Sequence, residues 1–261
     1  MRLLFCGLAL VSAGVVTARA QGPVAWATIK GQVVLPAGVA VPVRPPLPAN
    51  AAGCPKGPIL DETVSVSAKT RGVKNVVVWL RPNNQNPKGA AFAANEIHPA
   101  DAKRKPQDVV IDQPCCMFEP HVVAARVGDT VVVKNSAPIV HNFFWVSDQN
   151  GNFNPNIAAN GQFRFPMALV REPSPIPFSC TIHPWMKGYL RVFDHPYYAV
   201  TDENGAFEIA NAPVGNYRLV YWHEKLGFKG GRDGRFGDPV TIVAGPGGAM
   251  ALKPTDFDVT K

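Results

Sequence analysis

Three side chains that can bind a transition metal recur at intervals of three residues, at Cys180, His183 and Met186. They offer a thiolate, an imidazole and a thioether, and His141 supplies a second imidazole upstream. Two histidines, one cysteine and a weak axial methionine are the ligand set of a mononuclear type 1 (blue) copper site. Sulfur ligands suit Cu(I) and imidazoles also accept Cu(II). The spacing therefore predicts one copper ion bound by these four residues.

Two other interpretations of the same residues remain open. Zinc also binds cysteine and histidine, although a thioether is a poor zinc ligand. Alternatively, Cys180 and Met186 fill a hydrophobic core and His183 is a turn residue without a metal. The His141-Asn142 pair inside an apolar strand pattern favours the copper site over both.

The segment around these ligands resembles a known family. Residues 180–186 are similar to the copper loop of amicyanin, and the resemblance extends over residues 108–194. Three further segments support it: residues 118–120, residues 127–135 and His141-Asn142. The chain departs from the family just before the cysteine, where a proline-rich stretch at 173–179 replaces the usual alternating aromatics. The resemblance implies a Greek-key cupredoxin sandwich of the amicyanin and plastocyanin type.

The same resemblance implies the role of each ligand and a route for electrons. His141, Cys180 and His183 would be equatorial ligands, and Met186 the axial one. In cupredoxins the edge of the loop histidine usually reaches the surface within an apolar patch. Pro184 and Trp185 flank His183, and an exposed indole there favours contact with a partner. We therefore expect a redox protein to dock near His183.

A second resemblance concerns the end of the chain. Residues 201–209 and 212–219 resemble half of a carboxypeptidase regulatory-like, prealbumin-type β-sandwich. Residues 30–33 and 75–78 are similar to its missing half. This favours a discontinuous sandwich with the cupredoxin domain inserted between its strands, and two domains in series are the alternative.

The resulting prediction is an all-β protein with four segments. They are a signal peptide at 1–20, the first part of the sandwich with a linker at 21–107, the cupredoxin domain at 108–194 and the second part of the sandwich at 195–261. Abundant proline and glycine, 26 and 23 residues, fit many turns between short strands.

The N-terminus has the pattern of a secretory signal. Arg2 precedes an apolar run at residues 3–16, and Ala18-Arg19-Ala20 matches a cleavage site. No later segment is apolar enough to cross a membrane. We expect an exported protein, periplasmic or extracellular, without a transmembrane segment.

The net charge is mildly positive. It is +7 for the whole chain, and loss of Arg2 and Arg19 would lower it. This excess permits an acidic protein partner, and nothing in the chain resembles a nucleic-acid-binding module. The one basic cluster, residues 103–105, is more typical of a solvated loop.

Cysteine usage predicts one disulfide. If copper takes Cys180, then Cys54, Cys115 and Cys116 remain in the exported chain. Adjacent cysteines rarely pair, so Cys54 should bond to one of the other two. If strand alternation holds, only one of the neighbours faces Cys54, and we favour Cys116.

Alternating apolar residues predict several strands outside the ligand region. Alternation is clear at residues 28–35 and 63–67, and further strands are predicted at 75–80, 163–169, 217–222 and 240–243. We also expect a hairpin at 199–209 with Asn204-Gly205 at its tip, and a short helical turn near 91–97.

Two further histidines invite functional interpretations. His121 could join a second metal site, although packing against the sandwich is the simpler interpretation. His223 and Glu224 are adjacent, so they point to different faces of a strand and favour a structural role.

The function that we expect is a one-electron carrier with type 1 copper and no enzymatic activity. Catalysis at copper generally needs an open coordination position, and this ligand set shows none. The alternative is a non-redox module that binds polysaccharide or an envelope protein and holds structural or stored copper. The loop at residues 227–237 and four aromatic residues would suit that role, namely Tyr197, Tyr198, Tyr221 and Trp222.

Overall fold

The computed structural model describes residues 25–48, 53–54, 57–83 and 91–261. Strands form most of its regular structure, which confirms the predicted all-β fold class. The signal peptide expected at residues 1–20 lies outside the described residues. The strands are β1 Trp26–Val34, β2 Val77–Pro82, β3 Asp108–Ile111, β4 Val122–Arg126, β5 Thr130–Lys134, β6 His141–Asn142, β7 Phe144–Val146, β8 Asn152–Phe153, β9 Asn156–Ile157, β10 Gln162–Arg164, β11 Ile176–Ser179, β12 Lys187–Phe193, β13 Tyr198–Val200, β14 Ala206–Pro213, β15 Gly215–His223, β16 Gly227–Phe228, β17 Asp238–Ile242, β18 Ala249–Ala251 and β19 Thr255–Asp256.

Within the described residues, helical structure is confined to short turns. One α-helical turn, α1, spans Pro99–Ala102, and 3-10 turns span Ala94–Glu96, Gly231–Phe236 and Pro246–Gly248. The first of these 3-10 turns lies within the helical turn predicted near residues 91–97. None of the helices in the described ranges has the length and hydropathy of a bilayer-crossing helix.

Two sheets from the middle of the chain enclose one core. The larger has the order β4-β12-β11-β7-β8 and the smaller the order β10-β5-β3. β12 runs parallel to β4, and β3 runs parallel to β5. Residues of both sheets, such as Val133 and Leu190, are fully buried in this core. Its largest side chains are aromatic: Phe118, Phe143, Trp145, Phe165 and Phe178.

A second pair of sheets joins the two ends of the chain. β1 pairs with β14 antiparallel and with β18 parallel, and β2 lies between β13 and β15. β17 pairs with β15 on its other side, and a second core fills the space. Strands on either side of residues 108–194 therefore share sheets. The domain limits themselves stay a prediction.

The structure corrects three strand predictions. Residues 63–67 form no strand, since only an isolated bridge joins Val66 to Val73. The strand expected at 163–169 is the shorter β10. The hairpin expected at 199–209 is wrong in its pairing, because β13 pairs with β2 and β14 pairs with β1.

The backbone explains why the hairpin arms separate. Gly205 has a left-handed φ of 72°, and its carbonyl accepts a 2.8 Å hydrogen bond from the Val33 amide. A Cβ on Gly205 would lie 2.2 Å from the Val33 carbonyl oxygen. The turn thus packs directly on β1, and its two arms continue into different sheets. Alternation identifies a strand but not its partner.

The two sheets from the middle of the chain are called the first sandwich, and the pair of sheets built from its two ends the second sandwich. A third apolar cluster joins these two sandwiches. Val122 and Phe193 of the first sandwich pack against Trp79, Val220 and Trp222 of the second. Beside it, His121 Nε2 contacts the Glu224 carboxylate, and both side chains are buried. Between them, these contacts hold β4 and β12 against β2 and β15.

The buried His195 gives the stability of the fold a pH dependence. Burial, reinforced by the charges of Arg191, Arg126 and Arg171, lowers the pKa of His195 to about 3. Its unfolded pKa is about 6.5, so the unfolded chain takes up the proton first as the pH falls. The contribution of His195 is present above pH 6.5 and is lost progressively towards pH 3.

We therefore expect the free energy of unfolding to fall by about 2 kcal/mol between pH 7 and pH 5 through His195 alone. His195→Gln, which cannot titrate, should show a correspondingly smaller loss in urea unfolding at the two pH values. An equal loss in the variant and the wild type would contradict this assignment.

Candidate metal centre

The ligand loop closes at its base. β11 ends at Ser179 and β12 begins at Lys187, and these two residues are antiparallel partners. The Cys180 amide donates to the Met186 carbonyl at 3.1 Å, and the Met186 amide donates to the His183 carbonyl at 2.9 Å. The loop is short and internally hydrogen-bonded, so the backbone itself fixes the relative positions of Cys180, His183 and Met186.

Three donor atoms meet inside this loop. His141 Nδ1 lies 2.9 Å from His183 Nδ1 and 3.9 Å from Cys180 Sγ. Cys180 Sγ lies 3.8 Å from His183 Nδ1. All three residues are buried. In the described part of the chain, they are the one group of three or more His, Cys, Asp or Glu ligand atoms within 4.8 Å of one another.

These separations suit a shared metal ion. Metal–nitrogen bonds of about 2.0 Å and metal–sulfur bonds of about 2.3 Å place neighbouring ligands on one ion about 3 to 4 Å apart. Burial and the neighbouring His183 lower the pKa of His141 to about 4. Burial also lowers the pKa of His183. Both imidazoles are therefore neutral at pH 7 and carry a lone pair for a metal.

Met186 is the last residue of the ligand loop, directly before β12. Its side chain is buried in the same core cluster as Cys180. Its backbone closes the loop through both hydrogen bonds described above, so it cannot move independently of the cysteine. The soft cysteine sulfur and the two imidazoles are ligands that copper accepts. Met186 as a fourth ligand stays a prediction.

Asn142 anchors the ligand loop from the opposite strand. Its Oδ1 accepts hydrogen bonds from the Thr181 amide at 2.7 Å and from the Cys180 thiol at 3.1 Å. Its Nδ2 donates to the Thr181 hydroxyl at 2.8 Å. The Gln113 side chain in turn donates to the Asn142 carbonyl. The sequence pattern indicates the His141-Asn142 pair but no role for the asparagine.

Loss of this anchor should loosen the loop. Asn142→Ala leaves the Thr181 amide without its partner, and we expect a loss of about 2 kcal/mol in the free energy of unfolding of the metal-free protein. The matched control is Asn154→Ala, because Asn154 is exposed and its Oδ1 accepts a hydrogen bond from Asn142 Nδ2. Urea unfolding of both variants measures the difference, and an equal cost for the two would contradict the anchoring role.

The two predicted docking residues differ in exposure. Pro184 is exposed, but Trp185 is half-buried, contrary to the expected exposed indole. Its Nε1 donates to the Cys116 carbonyl at 3.1 Å, which turns the ring towards the protein. Exposed apolar side chains nearby come instead from Val140 and Ile182, which precede His141 and His183 in the chain.

A disulfide joins Cys54 to Cys116, the favoured pair. Cys115 is free and half-buried. Strand alternation does not explain why Cys116 rather than Cys115 pairs with Cys54. The two adjacent cysteines lie in a bend, where Cys116 has a left-handed φ of 59°. The bridge lies behind the ligand loop, since the Cys116 carbonyl receives the Trp185 hydrogen bond.

His121, His223 and Glu224 have structural positions. His121 contacts Glu224 across the two sandwiches, and His223 packs near Phe257 in the second core. Burial, then the charges of His121 and Lys225, lowers the pKa of His223 to about 4. In the described ranges, His121 joins no group of three metal-ligating side chains.

The aromatic residues considered for polysaccharide binding do not form a surface platform. Tyr197, Tyr221 and Trp222 are buried, and Tyr198 is half-buried and stacked on Phe193. They fill the second core and the contact between the sandwiches. That part of the alternative interpretation is wrong.

No protein-family model matches this chain, and no curated protein matches it. Solved structures match part of it. They include the Cu(I) form of an amicyanin mutant, with 25% identity and a TM-score of 0.30 over 38% of this chain and 93% of that chain. The oxidized state of another amicyanin mutant has 25% identity and a TM-score of 0.29 over 39% of this chain and 90% of that one. A purple cupredoxin from Nitrosopumilus maritimus has 21% identity and a TM-score of 0.28 over 33% of this chain and all of that chain.

Proposed function

We propose that this chain is an exported protein that binds one type 1 copper ion and carries single electrons. The observation that supports this most is the meeting of His141 Nδ1, Cys180 Sγ and His183 Nδ1 in one buried pocket. Copper bound there would supply a Cu(II)/Cu(I) couple. His141, Cys180 and His183 would hold it, with Met186 as the axial ligand.

We expect the donor atoms of the pocket to keep the same positions in both oxidation states of copper. Cys180 and Met186 are about 1% exposed and His141 is fully buried, so the ligands exclude water. The bonds from Asn142 and within the loop hold the donors in place without a metal. A rigid, dry ligand set needs little rearrangement when the charge of the ion changes, which suits a carrier better than an enzyme.

Electrons would enter and leave on the side of the ligand loop. His183 retains about 5% exposure, and the chain on both sides of it, at Ile182 and Pro184, is exposed. Val140 adds a further exposed apolar side chain next to the other histidine ligand. Such a surface suits brief contact with a redox protein, and the mild positive net charge favours an acidic one.

The secretory pattern at the N-terminus and the Cys54–Cys116 bridge both support export. Disulfides persist in oxidising compartments such as the periplasm or the extracellular space. We therefore place this carrier outside the cytoplasm.

Native purification followed by metal analysis and optical spectroscopy tests the proposal. We expect one copper per chain, an intense visible band from thiolate-to-Cu(II) charge transfer, and a reversible one-electron potential. A colourless protein with one tightly bound zinc would overturn it. A copper-loaded protein without a reversible potential would instead support storage.

Met186 should set the reduction potential. Met186→Leu is expected to keep copper and the visible band but to raise the midpoint potential, because the axial ligand tunes the couple. Met117→Leu is a matched control, since Met117 packs against the same core but lies outside the ligand loop. Protein-film voltammetry compares the two, and an equal shift in both would exclude Met186 as the axial ligand.

A further inference from the structure

A small cavity lies between the two sandwiches, separate from the metal centre. Its volume is about 140 Å³. This is well below the roughly 300 to 1,000 Å³ of sites for drug-sized ligands. The cavity has room for a few water molecules or one small ion. The residues that line it from both sandwiches include Trp79, Arg81, Arg171, Arg191, Phe193 and Arg235.

The lining carries an excess of positive charge. Among the described residues of the lining, four arginines face one carboxylate, Asp194, whose Oδ2 lies 3.1 Å from Arg171 Nε. Glu172 lies next in the chain, but its carboxylate accepts from Asn150 Nδ2 and from backbone amides of residues 148 and 149. The fixed acidic groups around the cavity therefore do not balance its arginines.

Among the residues that line the cavity, Arg191 gives the strongest indication of a bound ligand. It is 8% exposed, and its guanidinium lies 5.1 Å from the Trp79 ring centroid and 5.4 Å from that of Phe193. One terminal nitrogen donates to the Pro173 carbonyl. Its Nε is buried and has no hydrogen-bond partner within the described residues. A buried, charged donor left without a partner is costly, so it indicates a ligand.

Arg235 offers a second donor from the other sandwich. Its Nε is also buried without a partner in the described ranges. Its backbone carbonyl accepts a 2.9 Å hydrogen bond from Arg81 Nη1. This bond holds the turn Gly231–Phe236 at the cavity, so the arrangement does not depend on a free loop.

The charges of the arginines around the cavity also repel one another. Burial, and next the charge of Arg171, lowers the pKa of Arg191 to about 10. The pKa of Arg81 falls through burial and through the charges of Arg218, Arg235 and Arg171. An anion within the cavity would relieve this repulsion.

We propose that this cavity binds a small inorganic oxyanion, of the phosphate or sulfate class, between Arg191 and Arg235. Planar guanidinium groups match the oxygen spacing of such ions and form charge-assisted hydrogen bonds to them. The volume is too small to enclose a nucleotide. Because Arg191 belongs to the first sandwich and Arg235 to the second, the bound anion joins the two.

Calorimetric titration of the whole protein with inorganic phosphate, and separately with sulfate, tests this site. Chloride at equal ionic strength is the reference. We expect saturable binding with about one anion per chain and no saturable signal for chloride. Arg235→Gln should weaken binding by about tenfold or more. Arg232→Gln is the matched control, because Arg232 is exposed in the same turn and does not line the cavity, and it should stay within about twofold of the wild type.

Thermal unfolding provides a second readout that needs no metal. Phosphate should raise the melting temperature of the wild type and of Arg232→Gln more than that of Arg235→Gln. The site is disproved if phosphate acts no differently from chloride, or if Arg235→Gln binds as the wild type does. Arg191→Gln should also abolish binding, and if it does not fold, the Arg235 comparison still decides.

Discussion

Cys180→Ser is expected to abolish the visible band of the copper-loaded protein. The band requires a thiolate bound to Cu(II), and Cys180 Sγ is the sulfur donor that meets both imidazole nitrogens. Serine is similar in size, so the buried loop should still fold. The variant should also lose most of the stabilisation by copper, about 2.7 kcal/mol when the metal is at one hundred times its dissociation constant.

Optical spectra and thermal unfolding with and without copper measure both effects. Cys115→Ser is the matched control, because Cys115 is the other free cysteine of the described residues and is not a member of the metal-ligating group. It should keep the full band. A visible band that survives in Cys180→Ser, or that disappears in Cys115→Ser, would show that the sulfur ligand is misassigned.

Loss of the disulfide is expected to be the most destabilising single change outside the ligands. Cys54 and Cys116 are separated by 62 residues, and a loop of this length lowers the unfolded-state entropy by the equivalent of about 4 kcal/mol. Cys116 is fully buried, and its carbonyl holds Trp185. Cys54→Ser should therefore lower stability strongly and also disturb the ligand loop.

Urea unfolding of Cys54→Ser against the wild type gives the stability change, and the position of the copper band reports on the loop. Reduction of the wild type should reproduce the effect on stability, whereas the Cys54→Ser variant should not respond to reductant. If peptide mapping of the native protein found Cys54 as a free thiol, the bridge would be wrong.

The chemistry of the centre was more predictable than the path of the chain. His141, Cys180 and His183 could be predicted because a ligand set is a matter of residue type and spacing. Asn142 could not, since its role depends on the loop being folded against β6. Trp185 was expected at the surface, but its indole is drawn inward by the Cys116 carbonyl, a contact 69 residues away in the chain.

The strands also divide into those that the sequence predicts and those that it does not. Alternation identified β1, and runs of apolar residues identified β2 and β15, which are buried along most of their length. They did not identify β18 and β19, three and two residues long, which run parallel to β1 and have little alternation of their own. The burial of residues 221 and 222 could not be predicted either, since nothing local to them indicates that Tyr221 lies in the second core or that Trp222 packs against the first sandwich.

The shared sheets impose an order on biosynthesis. The Val76 amide donates to the Thr201 hydroxyl across 125 residues of chain. At about 5 to 20 residues per second, β2 waits roughly 6 to 25 seconds for its partners to be made. During that time β1 and β2 are apolar strands with open edges, exposed to aggregation and proteolysis. If the intervening segment, residues 108–194, folds first, its completion brings the two ends together and shortens the search for them.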